Sequence, residues 1–228
     1  MSARLTLLHT SPTLTPLFGG LCSRWIPDAT VYHMVDESLI KNTIAAGSLS
    51  RTTMRRTIEL IGSAFEGGAD AVLVTCSSIG PGVDMAKALF DKPVIRVDDA
   101  MAEAAVAQGQ RIGVVATLPT TLKPTGELVQ RKADEAGREI ELFDCLCTGA
   151  FEALMSGDAA THDRIVAEGL TERLKGVDVI VLAQASIARV LEGLPPGAVS
   201  APVLSSPELG VKRARDILCG ATRGDLAA

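Results

Sequence analysis

The sequence predicts an α/β fold made of two pseudo-symmetric lobes, each with a mostly parallel sheet flanked by helices. Three observations carry this expectation. Short β-branched or aliphatic runs alternate with longer amphipathic segments, as in βαβ units. The second half of the chain repeats the first at an offset of about 108 residues. The 228 residues, 47% of them apolar, are enough to bury one large core or two of about 100 residues each.

The candidate strands are Leu5–His9, Thr30–Val35, Ala71–Thr75, Val94–Val97, Ile112–Ala116, Ile140–Phe143, Val179–Leu182 and Val203–Leu204. Between them, Arg51–Glu66, Met101–Gln108, Thr121–Ala136 and Thr161–Lys175 carry apolar residues at helical spacing. The repeat is read by laying one half over the other. Arg4-Leu-Thr-Leu-Leu-His-Thr-Ser-Pro-Thr13 matches Arg111-Ile-Gly-Val-Val-Ala-Thr-Leu-Pro-Thr120, and Asp70-Ala-Val-Leu-Val-Thr-Cys-Ser-Ser-Ile79 matches Asp178-Val-Ile-Val-Leu-Ala-Gln-Ala-Ser-Ile187. Pro93-Val-Ile95 then matches Pro202-Val-Leu204. The expected lobes are 1–98 plus 206–228, and 99–205, with a last helix near Pro207–Cys219 returning to the first lobe.

Composition narrows the function classes. A net charge of −5 with scattered Lys and Arg gives no basic footprint for nucleic acid, and 3% aromatic residues give no platform for stacking bases. No apolar run reaches the roughly 20 residues of a membrane span, and the first 20 residues lack the pattern of a signal peptide. The five cysteines, Cys22, Cys76, Cys145, Cys147 and Cys219, have no framework spacing and read as reduced thiols of a cytoplasmic protein. Cys145 and Cys147 lack the spacing and companion ligands of a zinc site, so no metal is expected. Walker-type and Gly-x-Gly-x-x-Gly loops are missing, as is Gly-x-Ser-x-Gly, so no nucleotide cofactor and no serine nucleophile are implied.

In parallel α/β sheets, ligands gather beyond the carboxyl ends of the strands, where helix N-termini offer free N–H groups. Here those ends carry His9, Thr10 and Ser11; Thr75, Cys76, Ser77 and Ser78; Thr117, Thr120 and Thr121; and Gln184, Ala185 and Ser186. The duplication brings these loops to one cleft if the lobes face each other. Cys76 stands at a strand end and a helix start, where a lowered thiol pKa makes a base or nucleophile; alternatively it is a small buried hydrophobe. The hydroxyls suit a carboxylate or an enediolate, while Ser11, Thr13, Ser77 and Thr120 could equally be helix caps. His9 reads as a ligand-orienting or a structural histidine. Asp36 and Glu37 read as a partner acid or as a solvated loop, and His33 and His162 receive no role.

These residues together resemble the aspartate/glutamate racemase superfamily, which includes hydantoin racemases, maleate cis-trans isomerases and arylmalonate decarboxylases. The resemblance covers essentially the whole chain and rests on the duplicated lobes, Thr10-Ser-Pro-Thr13, Thr75-Cys-Ser-Ser78 and Ala116-Thr-Leu-Pro-Thr120. It implies an Asp/Glu racemase-like fold, a cofactor-independent enzyme acting on a small carboxylate, a homodimer, and one cysteine from each lobe on opposite faces of the substrate carbon. Cys76 matches the first. Gln184 stands where the second is implied, and an amide neither takes nor gives a proton near neutral pH. The site therefore reads as one-sided, with Thr10, Ser11, Thr75, Ser77, Thr117 and Thr120 holding the anion. The leading reading is a racemase-like isomerase that moves a proton alpha to a carboxylate or carbonyl through Cys76. The alternatives are a lyase that decarboxylates a malonate-like or oxo acid, and a small-molecule binding protein without catalysis.

Overall fold

The computed structural model describes residues 2–220. Residue 1 and residues 221–228, assigned by sequence to the first lobe, lie outside the described residues. The chain divides into two compact units, one running to Val97 and resuming at Pro207, the other spanning Asp98–Ser206.

The first unit runs β1 (Arg4–His9), α1 (Leu14–Trp25), β2 (Thr30–Val35), α2 (Glu37–Ala46), α3 (Arg51–Glu66), β3 (Ala71–Val74), a 3-10 turn (Ser77–Ile79), α4 (Gly80–Lys87) and β4 (Val94–Arg96). Its strands are all parallel, in the order β2-β1-β3-β4. The central strands read as apolar runs because both their faces are covered: all of β3 and all of β1 after Arg4 are buried. The edge strand β2 stays largely accessible.

The second unit repeats this plan with α5 (Asp99–Gln108), β5 (Arg111–Ala116), α6 (Pro119–Glu135), β6 (Glu141–Leu146), α7 (Ala150–Met155), α8 (Ala159–Glu168), a π-helical turn (Gly169–Arg173), β7 (Val179–Leu182), α9 (Ala185–Glu192) and β8 (Val203–Ser205). Its parallel order is β6-β5-β7-β8. The final helix, α10 (Ser206–Leu218), places Val211 and Ala214 in the first unit's core beside Phe18, Cys22, Ile95 and Val97.

Part of the sequence repeat has a structural cause. A carboxylate oxygen of Asp70 accepts the N–H of Arg4 at 2.8 Å, and one of Asp178 accepts those of Arg111 at 2.8 Å and Gln110 at 2.9 Å. In both units an aspartate just before the third strand ties down the start of the first.

Two expected elements differ. The strand expected over Ile140–Phe143 continues to Leu146, because β6 follows β5 residue for residue from Glu141 against Arg111 to Leu146 against Ala116. The single helix expected over Thr161–Lys175 begins earlier, at Ala159, and α8 ends at Glu168. There Gly169 opens the π-helical turn over two sulfurs: a Cβ on Gly169 would lie 2.9 Å from the Sγ of both Cys145 and Cys147.

Candidate functional site

The carboxyl end of the first sheet gathers Thr10, after β1, and Cys76, after β3. The Cys76 sulfur accepts hydrogen bonds from the hydroxyls of Thr10 and Ser78 and from the backbone N–H groups of Ser78 and Ile79. These donors exist because Cys76 precedes the 3-10 turn, whose first N–H groups have no partner within the turn. They favour the thiolate. Removal of the thiol from bulk water opposes them and wins, so the pKa lies above the ordinary thiol value. This corrects the expectation that the helix start lowers it. Cys76 nonetheless keeps part of its surface accessible.

Beneath this loop lies a second chain of contacts. His9, with 0% of its surface exposed, sets Nδ1 2.8 Å from the Thr75 hydroxyl and Nε2 2.9 Å from Nδ1 of His33. The Thr75 hydroxyl donates to the Leu8 carbonyl at 3.2 Å. Its single proton thus being used, His9 carries its own on Nδ1 and accepts from His33 on Nε2. Burial, reinforced by His33, lowers the His9 pKa to about 4, so the ring is neutral near pH 7. Both of its nitrogens are engaged within the protein. His33, given no role from sequence, is its partner. The available signal was strand pairing: in parallel register Leu7 lies opposite His33 and His9 opposite Val35, which sets the two histidines on one face of neighbouring strands.

Asp36 is tied to its neighbours instead of standing in a solvated loop. It caps α2 by accepting from the Ser38 N–H at 2.9 Å and hydroxyl at 2.6 Å, and it pairs with Arg56 at 2.7 Å. Those partners hold its pKa below the ordinary value against the opposing effect of burial. Ser11 and Thr13 share a 2.8 Å hydroxyl contact, and the Thr13 hydroxyl does not cap α1. Ser77 is buried in the 3-10 turn without acting as a side-chain cap.

In the second unit the equivalent positions are Thr117 and Gln184. Oε1 of Gln184 accepts the Thr117 N–H at 2.6 Å and its hydroxyl at 3.0 Å. Gln184 precedes α9, and Ala185 and Ser186 form that helix's first residues, all three partly accessible. A pair of bonds from Arg189 to Asp163, at 2.6 and 3.0 Å, ties α9 to α8. At the start of α6, Leu118 occupies the cap position rather than Thr120, and the Thr120 hydroxyl is buried without a hydrogen-bond partner among the described residues. Thr121 is buried beside it.

Cys145 and Cys147 are both buried, and their thiols contact each other. That contact draws the Cys145 pKa down to about 7 and raises that of Cys147. Among the described residues no group of three or more His, Cys, Asp or Glu side chains is placed to hold a metal ion, and no helix is long and apolar enough to cross a membrane.

A family profile for Asp/Glu/hydantoin racemase matches residues 8–214. No curated protein matches the chain. Among solved structures, glutamate racemase from Bacillus anthracis is similar over 96% of this chain and 82% of its own, with 16% identity and a TM-score of 0.74. Allantoin racemase from Klebsiella pneumoniae is similar over 99% and 93%, with 20% identity and a TM-score of 0.67. Aspartate racemase from Picrophilus torridus is similar over 96% and 95%, with 12% identity and a TM-score of 0.68. At these identities the structures share the fold.

Proposed function

The chain belongs to the Asp/Glu/hydantoin racemase family and is an isomerase of that kind; from this premise we propose that Cys76 moves a proton at the carbon beside a carboxylate or carbonyl of a small acid, without a cofactor. The observation that carries this reading is the set of donors around one sulfur. Thr10, Ser78 and Ile79 all aim hydrogen at Sγ, and such donors bind a negative sulfur more strongly than a neutral one. Thiolate Cys76 takes the proton, the substrate becomes an enediolate, and the resulting thiol returns the proton once the intermediate has turned or shifted its charge to a neighbouring carbon.

The solved relatives are named for glutamate, aspartate and allantoin, each of which carries a C–H beside a carbonyl carbon. Substituting Cys76→Ala is expected to abolish turnover with the melting temperature unchanged, and retained turnover would overturn the assignment.

A decarboxylase is the second reading, and Gln184 is what favours it, because protonating a product carbanion needs one thiol only. Reaction in deuterated water separates the two. An isomerase carries label into both substrate and product pools, whereas a decarboxylase releases carbon dioxide and labels product alone.

A further inference from the structure

Cys145 and Cys147 take no part in the chemistry assigned to Cys76, yet their sulfurs are placed to react with each other. Cys145 lies in β6 opposite Val115, and Cys147 is the first residue past the end of that strand. Alternate residues of a strand point to one face, and both side chains enter the same apolar core, beside Ala150, Val166 and Leu170. Both are free thiols, no more than 1% exposed, and in contact.

Two features of this pair exceed what packing requires. The first is charge. The S–H of Cys147 donates to the Cys145 sulfur, and the positive charge of Arg173 adds to its effect. Together they outweigh burial, so Cys145 ionises near pH 7. Arg173 is held there by donating from Nη1 to the carbonyl of Leu146, the residue between the two cysteines, at 2.8 Å. The second is the cover. Helix α8 gives way to the π-helical turn where the chain crosses the pair, and Gly169 lies over both sulfurs with no side chain, in a space that a Cβ would fill at 2.9 Å from either. Such turns gather at functional positions.

We propose that Cys145 and Cys147 are a reversible oxidation site for a small peroxide, closing to an intramolecular disulfide with Cys145 as the attacking sulfur. The Cys145 thiolate attacks one peroxide oxygen, an S–O bond forms as the O–O bond breaks, and the departing hydroxide takes up a proton to become water. Cys145 is then a sulfenic acid. The Cys147 sulfur attacks it, the S–S bond forms as the S–O bond breaks, and the hydroxyl leaves with the Cys147 proton as a second water. Two thiols are oxidised and one peroxide is reduced to two waters. Opening of the Gly169 turn admits the peroxide, which is little larger than water. The spacing makes the product easy to reduce. Alternate Cα atoms of a strand stand about 6.6 Å apart, near the upper end of the roughly 4.4–6.8 Å that a disulfide spans, and strained disulfides are the labile ones.

Mass spectrometry on the full chain tests this. The reduced protein is treated with hydrogen peroxide at pH 7 in its folded state, then unfolded and alkylated with iodoacetamide. The peptide holding both cysteines is expected to lose two hydrogens and both alkylation sites, and dithiothreitol should restore them. In Cys147→Ser the reaction should stop at the sulfenic acid of Cys145, trapped by dimedone, and in Cys145→Ser no dimedone adduct should form on Cys147. The wild-type result decides the matter even if either variant fails to fold. A pair that remains fully alkylated after the exposed Cys219 has been oxidised overturns the proposal. So does a disulfide from either sulfur to a third cysteine, or a dimedone adduct on Cys147 in place of Cys145.

Discussion

Thr117 gives both its backbone N–H and its hydroxyl to the same oxygen of Gln184, at 2.6 and 3.0 Å, while its counterpart in the repeat, Thr10, gives its hydroxyl to the sulfur of Cys76. In each unit a threonine hydroxyl after the first strand thus meets an acceptor at the end of the third. In one unit that acceptor can carry a proton and in the other it cannot. Replacing Gln184 by Ala leaves two donors without their acceptor, at a cost of about 1–3 kcal/mol. Urea unfolding should report this as a lowered midpoint, with Gln184→Glu, which keeps the oxygen, losing less.

The raised thiol pKa makes the direction of the pH profile informative. If thiolate Cys76 is the base, kcat/KM rises with pH and continues to rise past the range of an ordinary thiol. If the thiol is the acid of a decarboxylation, the same group makes the rate fall over that range. Thr10→Val removes a donor to the thiolate and should move the limb to still higher pH in either case. The alkylation rate of Cys76 with iodoacetamide should move with it, and a limb that stays in place would exclude Thr10 as a positioning residue for this thiol.

His9 predicts a loss of stability in acid. Its pKa is lowered from 6.5 to about 4 on folding, so the folded state resists protonation more than the unfolded state does. The contribution is complete above pH 6.5 and declines as pH falls toward 4, amounting to roughly 3 kcal/mol. His9→Gln should flatten the profile of unfolding free energy across this window. An equally steep profile in the variant would place the acid sensitivity elsewhere.

Gly80 predicts a steric effect on the Cys76 loop. A Cβ there would stand 2.4 Å from Cζ and Nη2 of Arg96. Arg96 is 2% exposed and ion-paired with Asp84, so it has little room to yield. Gly80→Ala should therefore displace the turn that carries the donors to Cys76. We expect a cost of about 1–3 kcal/mol and a fall in kcat larger than any change in KM.

Gly169→Ala meets two sulfurs at 2.9 Å and should destabilise the protein by a similar amount, about 1–3 kcal/mol. The double variant with Cys147→Ala, which removes one of those sulfurs, should recover part of the melting temperature.

The two-unit plan was legible because parallel strands covered on both faces are written as unbroken apolar runs, and β1, β3, β5 and β7 are such runs twice over. The repeated Asp70 and Asp178 belong to the same legible layer, since each performs a local backbone task. Edge strands and irregular helices were less readable: β6 extends to Leu146 through pairing with β5, and the first glycine of the π-helical turn packs on sulfurs more than twenty residues earlier in the chain. At the site, adjacency in sequence pointed to Ser78 beside Cys76, but the direction of the thiol pKa depends on burial, which the sequence does not display. His33 was missed because its partner lies 24 residues away on a neighbouring strand.

Helix α10 also sets an order of assembly. The core around Phe18 and Cys22 includes Val211 and Ala214, so that core is completed by residues that follow the whole of the second unit in sequence. The unit spanning Asp98–Ser206 is contiguous and complete before then. A ribosome stalled before Pro207 is expected to hold a nascent chain whose second unit resists protease better than its first, which lacks the apolar cover of α10.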